Sequence, residues 1–573
     1  MSILIKNAKV VDGSGSPWYW GDVFVQDKEI KRIDRKIDDV KADRTIDAEG
    51  LVLTPGFVNV HSHSEGTIVF HPEMECDVTQ GVTTDILGLC SYSPYPDKKT
   101  YMETLTRNMA RNVLWYRTQF ANSPDDWHSL TEYAQLVMSK RPAVNVMPLV
   151  GLAPCIWIAG YRPQAETDAR KMKPAEMAKA KELIRQGFAE GAWGFSTTRD
   201  YNPNQYVDPD DVIEMLKVVA EYKRTWFPHT THVCTPEGVR EGIEWAKKAG
   251  VKVHIAHFNV IPNFSPGTVN TVHECLGIVD TARDQGMDVT FDVMTWFNYC
   301  FPPHSLIHNL RHLCRVYPDK PLRGSESVEE FRKAAQSPDY RKETKNSIEQ
   351  YIHRAAVRYG YFYREHLDSV MLLNTGDERL EDKTLGQLAK ERGGDPKDMY
   401  YDLCFETSPI LKTSPNTIVI WPLTTGYPYE GNVLKALSHS LAVPSIDTPT
   451  YGVPVSEHFN SNTYGAFPRG YRVMVDHGIE LEQAIKKMTG YPARIVGLTD
   501  RGLVREGMKA DLVIIDPVEF GPGNNLINAT ERAHGISYVI VNGKIVMDNK
   551  KLTQERPGEV LLRGRKAVPN GKK

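Results

Sequence analysis

Residues of the types that bind borderline metals recur along this chain, each at the end of a short apolar run. The run FVNVHSH ends in His61-Ser62-His63. Side chains alternate along a strand, so two histidines separated by one residue point the same way. Later runs end in Cys90, His232, His257 and Asp447. Thiolate, imidazole and carboxylate are the donors of zinc sites. Gathered in one place, they would hold an ion that acidifies water and polarises a carbonyl, the chemistry of metal-assisted hydrolysis.

The elements that must gather them are legible as a rhythm. Apolar runs at Phe57–His63, Val82–Cys90, Ala143–Val150, Gly191–Thr197, Trp226–His232, Val251–His257, Met287–Met294 and a last one near Ser440–Asp447 alternate with helical patterns such as TPEGVREGIEWAKKAG. That helix should end at Gly250. Such βα repetition predicts an α/β fold, a closed (β/α)8 TIM-like barrel over residues 57–500, with all strand carboxyl ends on one rim. No glycine-rich dinucleotide turn follows the first strand, which argues against an open doubly wound sheet.

The two ends of the chain read differently. Residues 1–56 and 501–573 alternate apolar and polar residues in short strands, and Asn542-Gly543 marks a tight hairpin. Together they are expected to build a small β-sandwich domain. Residues 295–438 are far too long for a strand-to-strand connection and carry helical patterns, so they read as a mostly helical insertion between strands seven and eight.

Composition narrows the function. The 573 residues carry 69 Lys plus Arg against 72 Asp plus Glu, a net charge of -3, which gives no support for a nucleic-acid partner. The 41% hydrophobic and 25% charged residues are globular values and exclude disorder. The 8 cysteines form no CxxC pair and suit reduced thiols in a cytoplasmic protein. The N-terminus lacks the apolar core and cleavage site of a signal peptide, so none is expected. Residues 143–160 are uncharged, but Pro148, Gly151 and Pro154 break them, so a buried strand and a loop are expected rather than a membrane span.

With these residues in view, the chain resembles the amidohydrolase superfamily and, within it, the N-acyl-D-amino-acid deacylase (D-aminoacylase) branch. The resemblance is carried by TPGFVNVHSHSE, GVTTDILGLCSYSP, GAWGFSTTRDYNP, THVCTPEG, IAHFN and, most specifically, TYGAFPRGYRVMVDHGIELEQAIKKMTGYPARIVGLTDRGLVREGMKADLVIIDP. It implies that His61, His63 and Asp447 hold one metal position. Cys90, His232 and His257 would hold the other, with the Cys90 thiolate as a bridge where relatives use a carboxylated lysine. The implied cofactor is Zn2+, one or two ions, or another divalent metal. The implied reaction is hydrolysis of a C–N amide bond of a small molecule by metal-bound hydroxide, with Asp447 as general base. A homo-oligomer is compatible with the resemblance, whereas a nucleic-acid or membrane partner is not expected.

Two family features are missing. Where the family places a His-Pro-Arg segment that binds the substrate carboxylate, this chain has His458-Phe459-Asn460. Where it has Tyr-Pro-Tyr after strand seven, this chain has Asp292-Val293-Met294-Thr295-Trp296-Phe297. Arg199 is therefore a candidate replacement for the carboxylate-binding arginine. Trp296, Tyr299, Trp157 and His458 are further candidate substrate contacts. An aromatic pocket without the family arginine would suit an aromatic or cyclic amide. Two alternatives stay open: a cyclic amidase of the dihydropyrimidinase or hydantoinase kind, and a non-catalytic scaffold on the same fold.

Overall fold

The computed structural model describes residues 1–565 except 109–122, 164–168, 200, 202, 232–233, 259–270, 297, 302–336, 340–341, 343–369, 374, 382, 406–417, 423–428, 451–459 and 526–527. The chain opens with five strands, β1 (Ser2–Val10), β2 (Tyr19–Gln26), β3 (Glu29–Asp34), β4 (Arg44–Asp47) and β5 (Val52–Pro55). Then follow β6 (Phe57–Asn59), β7 (Val82–Leu87), β8 (Asn145–Pro148), β9 (Val150–Gly151), β10 (Gly194–Thr198), β11 (Thr225–His229), β12 (Lys252–Ile255) and β13 (Val289–Met294). Next come β14 (Asn298–Phe301), β15 (Met371–Leu373), β16 (Ile418–Pro422) and β17 (Ala442–Ser445). The chain ends with β18 (Leu512–Ile515), β19 (Ile536–Val541), β20 (Lys544–Asp548) and β21 (Lys551–Leu552).

The site rests on the parallel strands. One sheet runs β6-β7-β8 and a second runs β9-β10-β11-β12-β13-β17. β8 and β9 are consecutive, broken only at Leu149, whose N–H donates to Leu87 O at 3.0 Å. The segment after β17 also reaches the segment after β6. The Asp447 N–H donates to His61 O at 2.9 Å and the His63 N–H to Thr448 O at 3.3 Å. Asn59 reinforces this seam, because its Oδ1 accepts the Ile446 N–H at 3.1 Å. These strands are buried on both faces, as β7 with its fully buried VTTDIL illustrates. That is the pattern of parallel strands covered on both sides. Their side chains and the flanking helices share one apolar core.

The helices between them start and stop where local chemistry dictates. Helix Pro236–Ala249 has Thr235 as N-cap, accepting the Gly238 N–H at 3.2 Å, and stops at Gly250 with φ 69°. The uncharged stretch differs from expectation after its strand. Instead of a loop it forms a short helix, Leu152–Ile158, because Pro154 falls in the first turn, where its missing N–H costs nothing. No described helix is long and apolar enough to cross a membrane.

Strands from both ends of the chain form one nine-stranded sheet, β21-β20-β19-β18-β5-β1-β2-β3 with β4 on β1. Strands distant along it, including Ile3, Ile46, Ile514 and Ile545, share a separate core. The expected hairpin joins β19 to β20, with Asn542 and Gly543 at φ 46° and 73°. Among its described residues, the segment expected to be mostly helical also holds an antiparallel sheet, β14-β16-β15. Its short apolar runs Met371–Leu373 and Ile418–Pro422 pair across a long stretch of chain, so no local pattern announces them.

Candidate active site

The carboxyl ends of β6, β7, β11, β12 and β17 deliver their donors to one place. Asp447 Oδ1 lies 2.9 Å from His61 Nε2 and 3.0 Å from His63 Nε2. Cys90 Sγ lies 3.5 Å from His61 Nε2, His229 Nδ1 and His257 Nε2 alike. His257 Nε2 and His229 Nδ1 are 2.7 Å apart. Two donor groups therefore share one thiol: His61, His63, Cys90 and Asp447, and Cys90, His229 and His257.

The backbone is bent to achieve this. Cys90, His257 and Asp447 have φ of 48°, 34° and 52°, the left-handed region that side chains with a Cβ rarely enter. Such strain concentrates at functional sites, where surrounding packing holds it. The Cys90 turn is held from below by Ser196 on β10, whose Oγ accepts the Ser91 N–H at 3.0 Å. Gly151 lets the chain pass, since a Cβ there would meet Ser91 O at 2.6 Å.

The electrostatics identify the charge states. Burial favours the neutral thiol of Cys90, but the imidazoles of His61, His229 and His257 outweigh it and hold its pKa well below the thiol range. Burial likewise opposes ionisation of Asp447, and His61 and His63 overcome it. Burial pulls His63 down, while its hydrogen bond to Asp447 and the Cys90 thiolate push it up to about 10. The thiolate and carboxylate are balanced by protonated imidazoles, a balance that a bound cation would take over by displacing those protons. His63 Nδ1 and His257 Nδ1 are buried with no hydrogen-bond partner among the described residues, so their other nitrogens carry each ring's described polar contacts. The thiolate, imidazole and carboxylate set fits zinc.

The structure brings together His61, His63, Cys90, His257 and Asp447. His232 lies outside the described residues. Among the described residues, the imidazole that follows β10 and stands beside Cys90 is His229. The reason is register: β11 ends at His229, so that residue stands at the strand's carboxyl end. His254 does sit below the site, with Nδ1 2.8 Å from Thr290 Oγ1.

Among the candidate substrate contacts, Arg199 turns toward the helices. Its guanidinium donates to Val207 O at 2.8 Å, lies 3.5 Å from Glu241 and stacks 5.1 Å from the Trp245 ring. Trp157 donates to Glu103 at 2.7 Å within a helix contact. Trp296 is held by Asn462, which accepts its N–H at 2.8 Å, and by the Arg469 guanidinium 3.5 Å from its ring. Tyr299 pairs with Trp421 between β14 and β16. His458 lies outside the described residues.

Two aromatic residues not singled out in the sequence stand closer to the donors. The Tyr92 ring meets His63 edge-on at 5.4 Å, and Tyr201 lies 4.8 Å from the His229 ring. Each follows a strand end by a few residues, which is the only signal the sequence offers. An acid, Asp292, was also passed over as one charge within the run VTFDVM of β13.

Comparison with known proteins places these observations. Residues 444–547 match the Amidohydrolase family. The chain is 26% identical to the N-acyl-D-aspartate deacylase of Alcaligenes xylosoxydans xylosoxydans, over 99% of this chain and 96% of that one. It is 24% identical to the D-aminoacylase of the same organism, over 98% and 97%. The N-acyl-D-glutamate deacylase from Bordetella bronchiseptica, solved with zinc and a phosphonate inhibitor, superposes with a TM-score of 0.70 at 21% identity, covering 98% of this chain and 99% of that one. Nearly the whole chain is thus similar to amidohydrolases, and among them to the N-acyl-D-amino-acid deacylase, or D-aminoacylase-like, branch whose motifs it resembles.

Proposed function

We propose that this protein is a metal-dependent amidohydrolase that cleaves the C–N amide bond of a small molecule, an N-acyl amino acid or a related amide. The observation that carries the reading is the Asp447 carboxylate set 2.9 and 3.0 Å from two imidazoles, beside a thiolate ringed by imidazoles. The relatives' deacylase activities support it.

Zinc held by His61, His63, Cys90, His229, His257 and Asp447 would supply carbonyl polarisation and a water nucleophilic at neutral pH. The protein's own part falls to Asp447. Its carboxylate is ionised and its side chain is 11% exposed, so it faces the solvent side of a buried cluster. From there it accepts a proton from the attacking water and returns it to the leaving nitrogen. Tyr92 and Tyr201 limit water at the donors' edge, and the left-handed turns fix the donors before substrate arrives.

The strand order and the hydrogen bonds from Asp447 and Ile446 back to the first strand support a closed (β/α)8 barrel over 57–500. The shared core of the nine-stranded sheet supports a β-sandwich domain from 1–56 and 501–573, with 295–438 inserted. The buried thiols of Cys155 and Cys275, in no disulfide, support a reducing, cytoplasmic setting.

The test is turnover by zinc-loaded protein on a panel of N-acyl-D- and N-acyl-L-amino acids, aryl amides and cyclic imides. Hydrolysis of an open-chain amide is expected. Zinc-loaded protein that cleaves only cyclic substrates would shift the reading to a cyclic amidase, and one that cleaves none would overturn it.

A further inference from the structure

Beneath the donor groups lies a fully buried carboxylate that none of the foregoing chemistry uses. Asp292 is 0% exposed. Its Oδ1 accepts the His257 N–H at 3.0 Å and the Ser445 hydroxyl. Its Oδ2 lies 3.2 Å from His254 Nε2 and 3.4 Å from His61 Nδ1. One side chain on β13 therefore touches the strands that carry His61, His257 and Asp447.

We infer that Asp292, backed by His254, is the positioning residue that sets His61 and His257 for metal binding. The argument is one of tautomers. His61 presents Nε2 to Asp447 and Cys90. A metal needs the lone pair on that nitrogen, so the proton must sit on Nδ1, and a carboxylate at Nδ1 holds it there. Among the described residues His63 and His257 have no such partner at Nδ1, whereas His61 has one that sets its tautomer. His257 is fixed instead through its backbone N–H, which matters because its φ of 34° would otherwise relax. Ser445, two residues before Asp447, ties the same carboxylate to the eighth strand.

The carboxylate is needed because all its contacts ask it to accept. An amide of the same shape would turn its NH2 toward either the imidazole pair or the His257 N–H and Ser445 hydroxyl. His254 can accept from that NH2 only by surrendering its own donation.

This inference rests on the metal-dependent reading, and the experiment separates the two. Metal-free wild-type, Asp292→Asn and His254→Asn proteins are titrated with Zn2+ by calorimetry. Each is also loaded with Co2+ for its visible spectrum, and the melting temperature of each metal-free form is recorded. Asp292→Asn should bind zinc about 10–100-fold more weakly, with altered Co2+ bands. His254→Asn should show a smaller loss in the same direction. A lowered melting temperature with wild-type zinc affinity would assign Asp292 a purely structural role and overturn the inference. If Asp292→Asn does not fold, unchanged affinity in His254→Asn overturns it. Failure of the wild type to bind zinc would instead overturn the metal-dependent reading itself.

Discussion

Cys90 Sγ and His229 Nδ1 lie 3.5 Å apart, joining the end of β7 to the end of β11. The resemblance to deacylases implied His232 for this position, three residues further on. The two assignments predict opposite results. His229→Ala should lose bound zinc, beyond the roughly 10–100-fold in affinity that outer partners cost. His232→Ala should retain more. Metal content of the two variants side by side decides, and the reverse order would return the position to His232.

Asp447→Asn tests the proton-transfer role. The amide keeps the shape and an oxygen near His61 and His63 but cannot take a proton from water. Turnover should fall about 10²–10⁴-fold, with zinc content and melting temperature near those of the wild type. Near-normal turnover would remove Asp447 from the chemistry.

Metal removal should loosen the rim without unfolding the chain. The cores of the parallel strands and the nine-stranded sheet do not depend on an ion. Chelated protein should keep its far-ultraviolet dichroism and melt lower. Zinc at a hundred times its dissociation constant should restore about 2.7 kcal/mol. Loss of secondary structure on chelation would contradict this.

Lys487 gives a pH signature remote from the site. It is buried, and burial pushes its pKa from 10.5 down to about 8. Its Nζ donates to the carbonyls of His439 and Ala442, at 3.2 Å for the latter, and no carboxylate is among its described partners. Between pH 8 and 10.5 the unfolded chain binds the proton that the folded one releases, so stability rises with pH there. Relative to Lys487→Met, the wild type should gain up to about 3 kcal/mol across that window, read as a rise in its melting temperature relative to that of the variant. A difference independent of pH would show that the lysine is charged in the fold.

Much of this was written into the sequence because strand ends are local. HSH, Cys90, His257 and Asp447 close apolar runs, so their convergence follows from parallel strands sharing one rim. The register of β11 was not local. Both His229 and His232 end an apolar run, and only pairing with β10 and β12 decides where the strand stops. Asp292 was invisible for a related reason. A lone acid in a buried strand signals only when its partners are known, and those lie on β12, β17 and beyond β6. Arg199 shows the limit from the other side: its type suited a carboxylate, but Glu241 and Trp245 already engage it.

The seam at Asn59 and Ile446 joins residues 387 positions apart. A chain emerging from the ribosome can assemble Cys90, His229 and His257 long before Asp447 exists. The thiol-centred donor group is thus the early one, and the carboxylate proposed to move protons arrives with β17. A chain ending before β17 (Ala442–Ser445) would carry the thiol-centred donors without the carboxylate, so the proposed hydrolysis waits on the strand that closes the parallel set.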